Sequence, residues 1–335
     1  MRVAAMLVGL CWALLASGAN AAACDAGASD ACYFGFEPPA AQGRLHYYAS
    51  IPPGTAAAAP TRALIALHGH PRDAAKTFDA ALRAVRQRGR TGDTLVVAPV
   101  FQVDATRAAR CSTPGVPAAQ PGDLLWTCAS WLEGAPSVNG AGLGAFAALD
   151  ALVAELVRQW PGLRVVTVAG FSAGAQMVQH AIAFAAPAPA GVALRYVVAD
   201  PGTWLYFDAF RPAPADPATC PEVNRWKYGL EALPAHLPRS AEQARSAYAA
   251  AEIHYLEGAL DSGEGKGIAY RALDKSCAAD AQGPFRLQRG QAYVAHEGTL
   301  RAAPRELVVV PGCAHDVACV FPAPEARAAL LGAPP

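Results

Sequence analysis

Residues 163–174 read LRVVTVAGFSAG, an apolar run that passes directly into a Gly-x-Ser-x-Gly pentapeptide. Such an unbroken run is typical of a strand that is covered on both faces of a sheet. Residues 173–182 then have the composition of a helix. A glycine-rich turn with an incidental serine is the alternative, but the strand and the helix around it favour a nucleophile elbow. In that reading Gly170 and Gly174 let strand and helix approach, and Ser172 presents its hydroxyl.

Apolar runs and helical patterns alternate along the rest of the chain. The predicted strands cover residues 44–51, 62–67, 94–99, 163–169, 194–199, 252–257 and 305–310. The predicted helices cover residues 73–88, 143–159, 173–184 and 239–251, with Asp73 as an N-cap and Trp160-Pro161-Gly162 as a helix stop before the elbow strand. This alternation predicts the α/β class, with a doubly wound and mostly parallel sheet.

Two long segments interrupt the alternation, at about residues 101–140 and 201–238. The first is rich in Pro, Gly and Cys, and the second in Pro and aromatic residues. Excursions of this length in a compact domain usually carry function. We therefore predict one catalytic domain over residues 24–335 with two insertions that bear disulfides.

The first 23 residues have the pattern of a secretory signal peptide, with Arg2, an apolar run and small residues up to Ala23. The expected location is secreted or periplasmic. No segment approaches the roughly 20 uninterrupted apolar residues of a membrane span, so none is predicted. The 27 basic residues balance 27 acidic ones, and only 16% of the residues are charged. This composition argues against nucleic acid as a partner.

Cysteine usage fits an oxidising compartment. Of nine cysteines, Cys11 lies in the signal peptide, and the remaining eight allow about 105 disulfide connectivities. Closeness in sequence suggests the pairs Cys24–Cys32, Cys111–Cys128, Cys313–Cys319 and, by remainder, Cys220–Cys277. Zinc is the competing explanation, but no Cys-x-x-Cys or Cys-x-x-His cluster occurs. A lipid anchor on Cys24 is the other alternative, and it would leave an odd thiol.

A nucleophilic serine needs a base within hydrogen-bond reach and an acid that orients the base. His315 follows the last predicted strand and is the candidate base, and Asp261 follows the preceding strand and is the candidate acid. Asp200 is the alternative acid, and His296 is the alternative base. Asp316, next to His315, is expected to cap a turn.

Acyl transfer also needs backbone N–H donors where negative charge develops on the carbonyl oxygen. The amide of Ala173 is one candidate. The other is the amide of His70 in the stretch LHGHPR, residues 67–72, after an early strand. A metal pair formed by His68 and His70 is the alternative, but no third ligand stands at a suitable spacing, so no metal site is predicted.

Four motifs carry a resemblance to a known family: His-Gly at 68–69, Gly-Phe-Ser-Ala-Gly at 170–174, Gly-x-x-Asp at 258–261 and Gly-x-x-His-Asp at 312–316. With these motifs the chain resembles a secreted member of the α/β-hydrolase superfamily over about residues 44–330. Within it, the chain is most similar to secreted esterases of the polyhydroxybutyrate depolymerase and feruloyl esterase type, which also use a short His-Gly oxyanion loop and disulfides.

The expected function is hydrolysis of carboxylic esters, small or oligomeric, through Ser172, His315 and Asp261 and an acyl-enzyme, with no cofactor. A peptidase or amidase, an acyltransferase or a polyester depolymerase with the same triad, and a catalytically silent binding module, are the alternatives. The sequence leaves open whether a set of aromatic residues lines an acyl pocket or anchors the insertions: Trp126, Trp131, Trp204, Tyr206, Phe207, Trp226 and Tyr228.

Overall fold

The computed structural model describes residues 24–332 except residues 40, 56, 57 and 268. The predicted signal peptide, residues 1–23, lies outside the described residues. In the described part the strands are β1 (Tyr33–Phe36), β2 (Leu45–Ala49), β3 (Arg62–Leu67), β4 (Thr94–Val100), β5 (Gln102–Val103), β6 (Leu125–Trp126), β7 (Val165–Phe171), β8 (Ala193–Ala199), β9 (Glu252–Gly258) and β10 (Leu307–Val310).

Helices alternate with the strands along the chain. The α-helices are α1 (Ala74–Gln87), α2 (Ala105–Ala108), α3 (Ala145–Gln159), α4 (Ala173–Ile182), α5 (Ala241–Ala250), α6 (Cys277–Asp280), α7 (Arg286–Thr299), α8 (Val317–Val320) and α9 (Arg327–Leu331). Short 3-10 helices cover Asp30–Cys32, Ala109–Cys111, Ser130–Glu133, Tyr270–Ala272 and Pro324–Ala326.

One eight-stranded sheet has the order β1-β2-β4-β3-β7-β8-β9-β10. The neighbours from β4 to β10 run parallel, whereas β2 is antiparallel to both β1 and β4. The predicted mostly parallel sheet is confirmed, and each predicted strand corresponds to one of its members. Strand β1 was not predicted, nor was the small parallel pair β5–β6, because each of these segments is short and lies in irregular sequence.

Helices cover both faces of the sheet. On one face α1 buries Phe78 and Val85 in a cluster that also contains Leu330 of α9. On the other face α3, α4, α5 and α7 contribute to a second cluster, which includes Leu152 and Val178. The residues of α1 that are buried recur every three to four positions, as expected for a helix with one apolar side. The doubly wound prediction is confirmed.

The helix predictions differ from the structure at one N-cap and at one helix that was not predicted. Asp73 occupies the N-cap position of α1, but its side chain makes no capping hydrogen bond. Helix α7 was not predicted, although it is 14 residues long. Its buried side carries Arg286, Arg289 and Glu297 beside its apolar residues, and this mixture hides the apolar period.

The long segments between β4 and α3 and between β8 and α5 coincide with the predicted insertions. All four suggested disulfides are present: Cys24–Cys32, Cys111–Cys128, Cys220–Cys277 and Cys313–Cys319. The first insertion is closed on itself by Cys111–Cys128. The second is joined through Cys220 to Cys277 of α6. Across the described residues, no helix combines the length and the apolar character needed to cross a bilayer.

Strand β7 and helix α4 approach each other and β3 very closely. A Cβ on Gly174 would lie 2.5 Å from the His68 carbonyl oxygen and 2.6 Å from that of Leu67. A Cβ on Gly170 would overlap the Gly174 carbonyl. Because these are backbone atoms inside a packed sheet, no side chain can move to make room.

We predict that Gly174→Ala lowers the free energy of unfolding by about 2 kcal/mol or more, because the new methyl group must push β3 and α4 apart. Gly92→Ala is the matched control, since its Cβ would meet no atom within 4 Å. Denaturant unfolding of both variants checks this. Equal stabilities for the two variants would contradict the close approach.

Candidate active site

Ser172 stands at the junction of β7 and α4. Its backbone has φ 59° and ψ −121°, a conformation that L-residues rarely adopt and that is found mostly at functional sites. Its N–H donates to the Ala199 carbonyl at 2.9 Å, so the end of β8 holds the turn in place. The strand, the strained serine and the helix match the predicted elbow.

His315 lies in the loop after β10 and meets this serine. Its Nε2 is 2.8 Å from the Ser172 Oγ, across 143 positions of sequence. The imidazole also packs on Phe171, with ring centroids 4.9 Å apart. The sequence-predicted base therefore contacts the sequence-predicted nucleophile.

Asp261 completes the arrangement from the loop after β9. Its Oδ2 is 2.7 Å from His315 Nδ1, and the side chain is fully buried. Its other oxygen, Oδ1, accepts from Nη1 of Arg286 at 3.3 Å. The guanidinium compensates the buried carboxylate, which is costly to bury without a cation. Arg286 is the first residue of α7 and was not found from the sequence.

The hydrogen bonds fix the imidazole tautomer. A carboxylate only accepts, so His315 carries its proton on Nδ1 and turns the lone pair of Nε2 toward Ser172. Burial lowers the pKa of His315 below its ordinary value, against the raising effect of Asp261. The imidazole is therefore neutral near pH 7 and can accept a proton.

The loop that bears His315 is braced on both sides. The Cys313–Cys319 disulfide closes it. Asp316 accepts from the Ala318 N–H as the N-cap of α8, so the expected turn-capping role is confirmed. Asp316 also pairs with Lys76 of α1 at 2.8 Å.

The loop after β3 carries His70 and begins at the fully buried His68. The Phe101 N–H donates to Nε2 of His68 at 3.2 Å, so the proton sits on Nδ1, which donates to the Gly69 carbonyl at 2.8 Å. Burial lowers the pKa of His68 to about 4, which keeps the ring neutral. The ring is engaged by the backbone, and this argues against the alternative of a metal pair with His70.

Ser172 opens into a cavity of about 490 Å³. His70, Ala173 and His315 are among the lining residues, so the five predicted site residues lie at or directly behind one cavity. Charged groups also line it: Asp73, Lys76, Lys227, Asp274 and Arg286.

The aromatic residues of the insertions do not line this cavity. Trp126, Trp131, Trp204 and Tyr206 are buried, with exposures of 1% or less. Trp131 packs edge-on against His68 at 4.7 Å between ring centroids. For these four residues the structure agrees with the anchoring role that the sequence left open.

No family model matches the chain, and no curated protein matches it. Solved structures do. The chain is similar to poly(aspartic acid) hydrolase-1 from Sphingomonas sp. KT-1, with 20% identity, a TM-score of 0.57 and coverage of 85% of this chain and 93% of that one. It is also similar to a poly(3-hydroxybutyrate) depolymerase from Bordetella parapertussis, with 20% identity, a TM-score of 0.56 and 89% of each chain covered. This chain has the α/β-hydrolase fold.

In this α/β-hydrolase fold the rival site residues have other partners. His296 lies in α7, pairs with Asp208 at 2.8 Å and stacks on Phe210 with 3.9 Å between ring centroids. His180 is buried in α4 and bonds to the Lys227 carbonyl at 3.0 Å. Neither contacts Ser172.

Asp200 is close to Asp261 but faces another way. One oxygen accepts from the Gly258 N–H at 2.7 Å, three residues before Asp261, so this side chain braces the loop that bears Asp261. Its carboxyl also contacts the carboxyl of Glu257. Side-chain atoms of Asp200, Asp261 and His315 that could bind a metal ion lie within 4.8 Å of one another. Among the described residues a second group of this kind contains Cys220 and Cys277, which form a disulfide.

Glu257 is a second buried carboxyl that sequence reasoning did not single out. It is fully buried in β9 beside the carboxyl of Asp200. Burial and the neighbouring carboxyls raise the pKa of Glu257 well above its usual value, and burial raises the pKa of Asp200 to about 7. An acid inside the apolar stretch IHYLEG, residues 253–258, was the available signal.

We predict that Asp200→Asn gains stability relative to the native protein as the pH rises. The folded-state pKa is raised, so the native carboxyl favours folding while protonated and loses that contribution as the pH rises through about 7. Between about pH 5 and about pH 8 the difference in free energy of unfolding should grow by about 2 kcal/mol. Denaturant unfolding at both pH values measures it.

The control for this experiment is Ser246→Ala at an exposed position of α5, because it changes no ionisable group. The difference in free energy of unfolding between that variant and the native protein should stay constant with pH. A constant difference for Asp200→Asn as well would show that Asp200 is already ionised in the folded protein.

Proposed function

We propose that the protein is a secreted serine hydrolase that cleaves carboxylic esters. The observation that carries the proposal is the continuous chain of hydrogen bonds from Ser172 Oγ to His315 Nε2 at 2.8 Å and from His315 Nδ1 to Asp261 Oδ2 at 2.7 Å. The four disulfides and the signal-peptide pattern of residues 1–23 support secretion.

Ser172 attacks the ester carbonyl while His315 Nε2 takes its proton. Asp261 holds the imidazole in the Nδ1–H tautomer and stabilises the imidazolium that forms. The imidazolium then gives its proton to the leaving alcohol oxygen, and an acyl-serine remains. Water, deprotonated by the same nitrogen, attacks the acyl-serine and releases the acid.

The oxyanion that forms in both steps needs two N–H donors. We assign these to the amides of Ala173 and His70. Ala173 is the first residue of α4, where the helix N-terminus favours negative charge. The closeness of the His70 loop to the serine supports the second donor, since a Cβ on Gly69 would lie 3.5 Å from Ser172 Cβ.

An oligomeric ester is the favoured substrate within this class, because the cavity adjoins a groove. Asp73, Lys76 and Thr113 border both the cavity and a neighbouring groove of about 310 Å³ that continues along residues 113–116. A chain-like substrate would occupy both, and a short ester would fill only the first. The two similar solved structures are named as hydrolases of polymers.

We predict that a fluorophosphonate probe labels the native protein and that Ser172→Ala abolishes labelling and lowers kcat at least about 1,000-fold, because no other group can form the acyl-enzyme. Ser246→Ala, at an exposed position of α5, is the control and should match the native protein. Absence of labelling in the folded native protein would favour a binding module.

A substrate panel then separates the enzyme classes. Short p-nitrophenyl esters, 3-hydroxyacid oligomers and aminoacyl anilides are compared by kcat/KM. Higher values for oligomers than for short esters support the groove as a subsite. Turnover of anilides above that of all esters would contradict an esterase and favour an amidase.

We predict that Asp261→Asn lowers kcat by about 100- to 10,000-fold, because an amide no longer favours the Nδ1–H tautomer of His315. Asp200→Asn preserves the bond to the Gly258 N–H and should keep kcat within about tenfold of the native value. Steady-state kinetics on one ester measures both variants. The reverse order of losses would make Asp200 the acid of the triad.

A further inference from the structure

Arg72 is a buried cation in the loop between β3 and α1, two residues after His70. Its exposed fraction is 2%. In the part of the chain that the structure describes, no carboxylate forms an ion pair with it, and burial lowers its pKa. A buried guanidinium without a counter-charge is costly, so its position calls for a reason other than general stability.

The guanidinium joins the loop to the first insertion. Nε donates to the Cys111 carbonyl at 3.1 Å, and Nη1 donates to Gln102 Oε1 at 2.9 Å. Gln102 is itself held, because its amide donates to the Pro117 carbonyl at 3.1 Å. Cys111 is fixed to Cys128 by the disulfide that closes the insertion. The anchor of Arg72 is therefore rigid.

The backbone of Arg72 is strained where the side chain is anchored. Its φ is +60°, in the left-handed region that costs a residue with a Cβ about 1 kcal/mol or more. In this conformation the Arg72 N–H donates to the Gly69 carbonyl at 3.0 Å. The Ala74 N–H donates back to the Arg72 carbonyl at 2.9 Å, which leads into α1.

The Gly69 carbonyl therefore receives two donors, the Arg72 N–H and His68 Nδ1–H. In a trans peptide the carbonyl oxygen and the next N–H point in opposite directions. Two bonds that hold the Gly69 oxygen in the loop thus hold the His70 N–H turned outward, on the side where His70 lines the cavity.

We propose that Arg72 is a positioning residue for the oxyanion donor. Its anchored guanidinium holds its own backbone at positive φ, and this keeps the Gly69–His70 peptide in the one orientation that offers the His70 N–H to the substrate oxygen. The inference rests on the proposed hydrolase function, and it assigns to the first insertion a part in transition-state stabilisation.

The matched pair Arg72→Gln and Arg211→Gln tests this. Arg211 is also a buried guanidinium, 6% exposed, that donates to backbone carbonyls, including those of Val223 and Tyr228, but it lies in the second insertion and does not line the cavity. Arg72→Gln should lower kcat about 10- to 100-fold with KM within about threefold, because losing an oxyanion donor costs up to about 1,000-fold. Arg211→Gln should lower the Tm and leave kcat within about twofold.

A second variant, Arg72→Gly, removes both the guanidinium hydrogen bonds and the Cβ that makes positive φ unfavourable. Glycine adopts positive φ freely, so this variant folds even where Gln at this position does not. Its loss of kcat should stay within about threefold and below that of Arg72→Gln, because glycine can hold positive φ without the anchor. The affinity for a trifluoromethyl ketone analogue of the substrate should weaken by the same factor as kcat/KM, because both report the oxyanion donors.

The disulfide supplies an independent arm. Replacing Cys111 and Cys128 together by Ser should lower kcat about 3- to 10-fold, and adding Arg72→Gln should cause no further loss beyond that of Arg72→Gln alone, since both changes release the same peptide. Replacing Cys24 and Cys32 by Ser is the control and should leave kcat unchanged.

Three results would overturn the proposal: a loss of kcat of about tenfold or more in Arg72→Gly, a loss expressed in KM alone, or equal losses of kcat in Arg72→Gln and Arg211→Gln. Failure of the proposed function has a different signature. In that case the folded native protein would not label with the fluorophosphonate probe, or Ser172→Ala would still turn over the ester, whatever the Arg72 variants do.

Discussion

Strand β7 and helix α4 meet at Ser172 only because residues 170 and 174 have no Cβ between the packed backbones. A Cβ on Gly174 would lie 2.5 Å from the His68 carbonyl oxygen, so the start of α4 is in direct contact with the end of β3 and the loop that follows it. The same turn is tied to β8 through the bond from the Ser172 N–H to Ala199. One tight contact therefore sets the relative positions of three strand ends, and the side chains of the site depend on it.

Three carboxyl groups are buried near the carboxyl ends of the strands. Asp261, Asp200 and Glu257 are all fully buried, and one guanidinium, Arg286, donates to Asp261. Burial raises the pKa values of Asp200 and Glu257, and this favours their neutral forms. Their carboxyls then compete less with Asp261, which accepts from His315 Nδ1.

Most of the sheet and the Ser172, Asp261 and His315 constellation could be predicted because they follow from local patterns. Continuous apolar runs mark strands buried on both faces, and parallel strands gather their carboxyl ends at one edge. Arg286 and Glu257 could not be found in this way. Each of these residues depends on a partner that is distant in sequence. A charged residue on the buried face of a helix or strand also interrupts the apolar periodicity from which that element would be predicted. The role of the aromatic residues of the insertions stayed open, because composition does not show which surfaces these side chains pack against.

The aromatic residues of the first insertion support the loop after β3 without lining the cavity. Trp131 packs on His68, and Phe101 stacks on Trp131 with ring centroids 5.5 Å apart, so this aromatic layer supports the ring that bonds to the Gly69 carbonyl. Aromatic side chains suit this task because they bury much area with few rotatable bonds. From the insertions, the residues that line the cavity are Thr113, Ala129, Leu132, Gly202 and Lys227. The side chains that brace the loops and the side chains that line the cavity are thus different residues of the insertions, so a substitution at the cavity wall can change the cavity without removing the aromatic packing behind it.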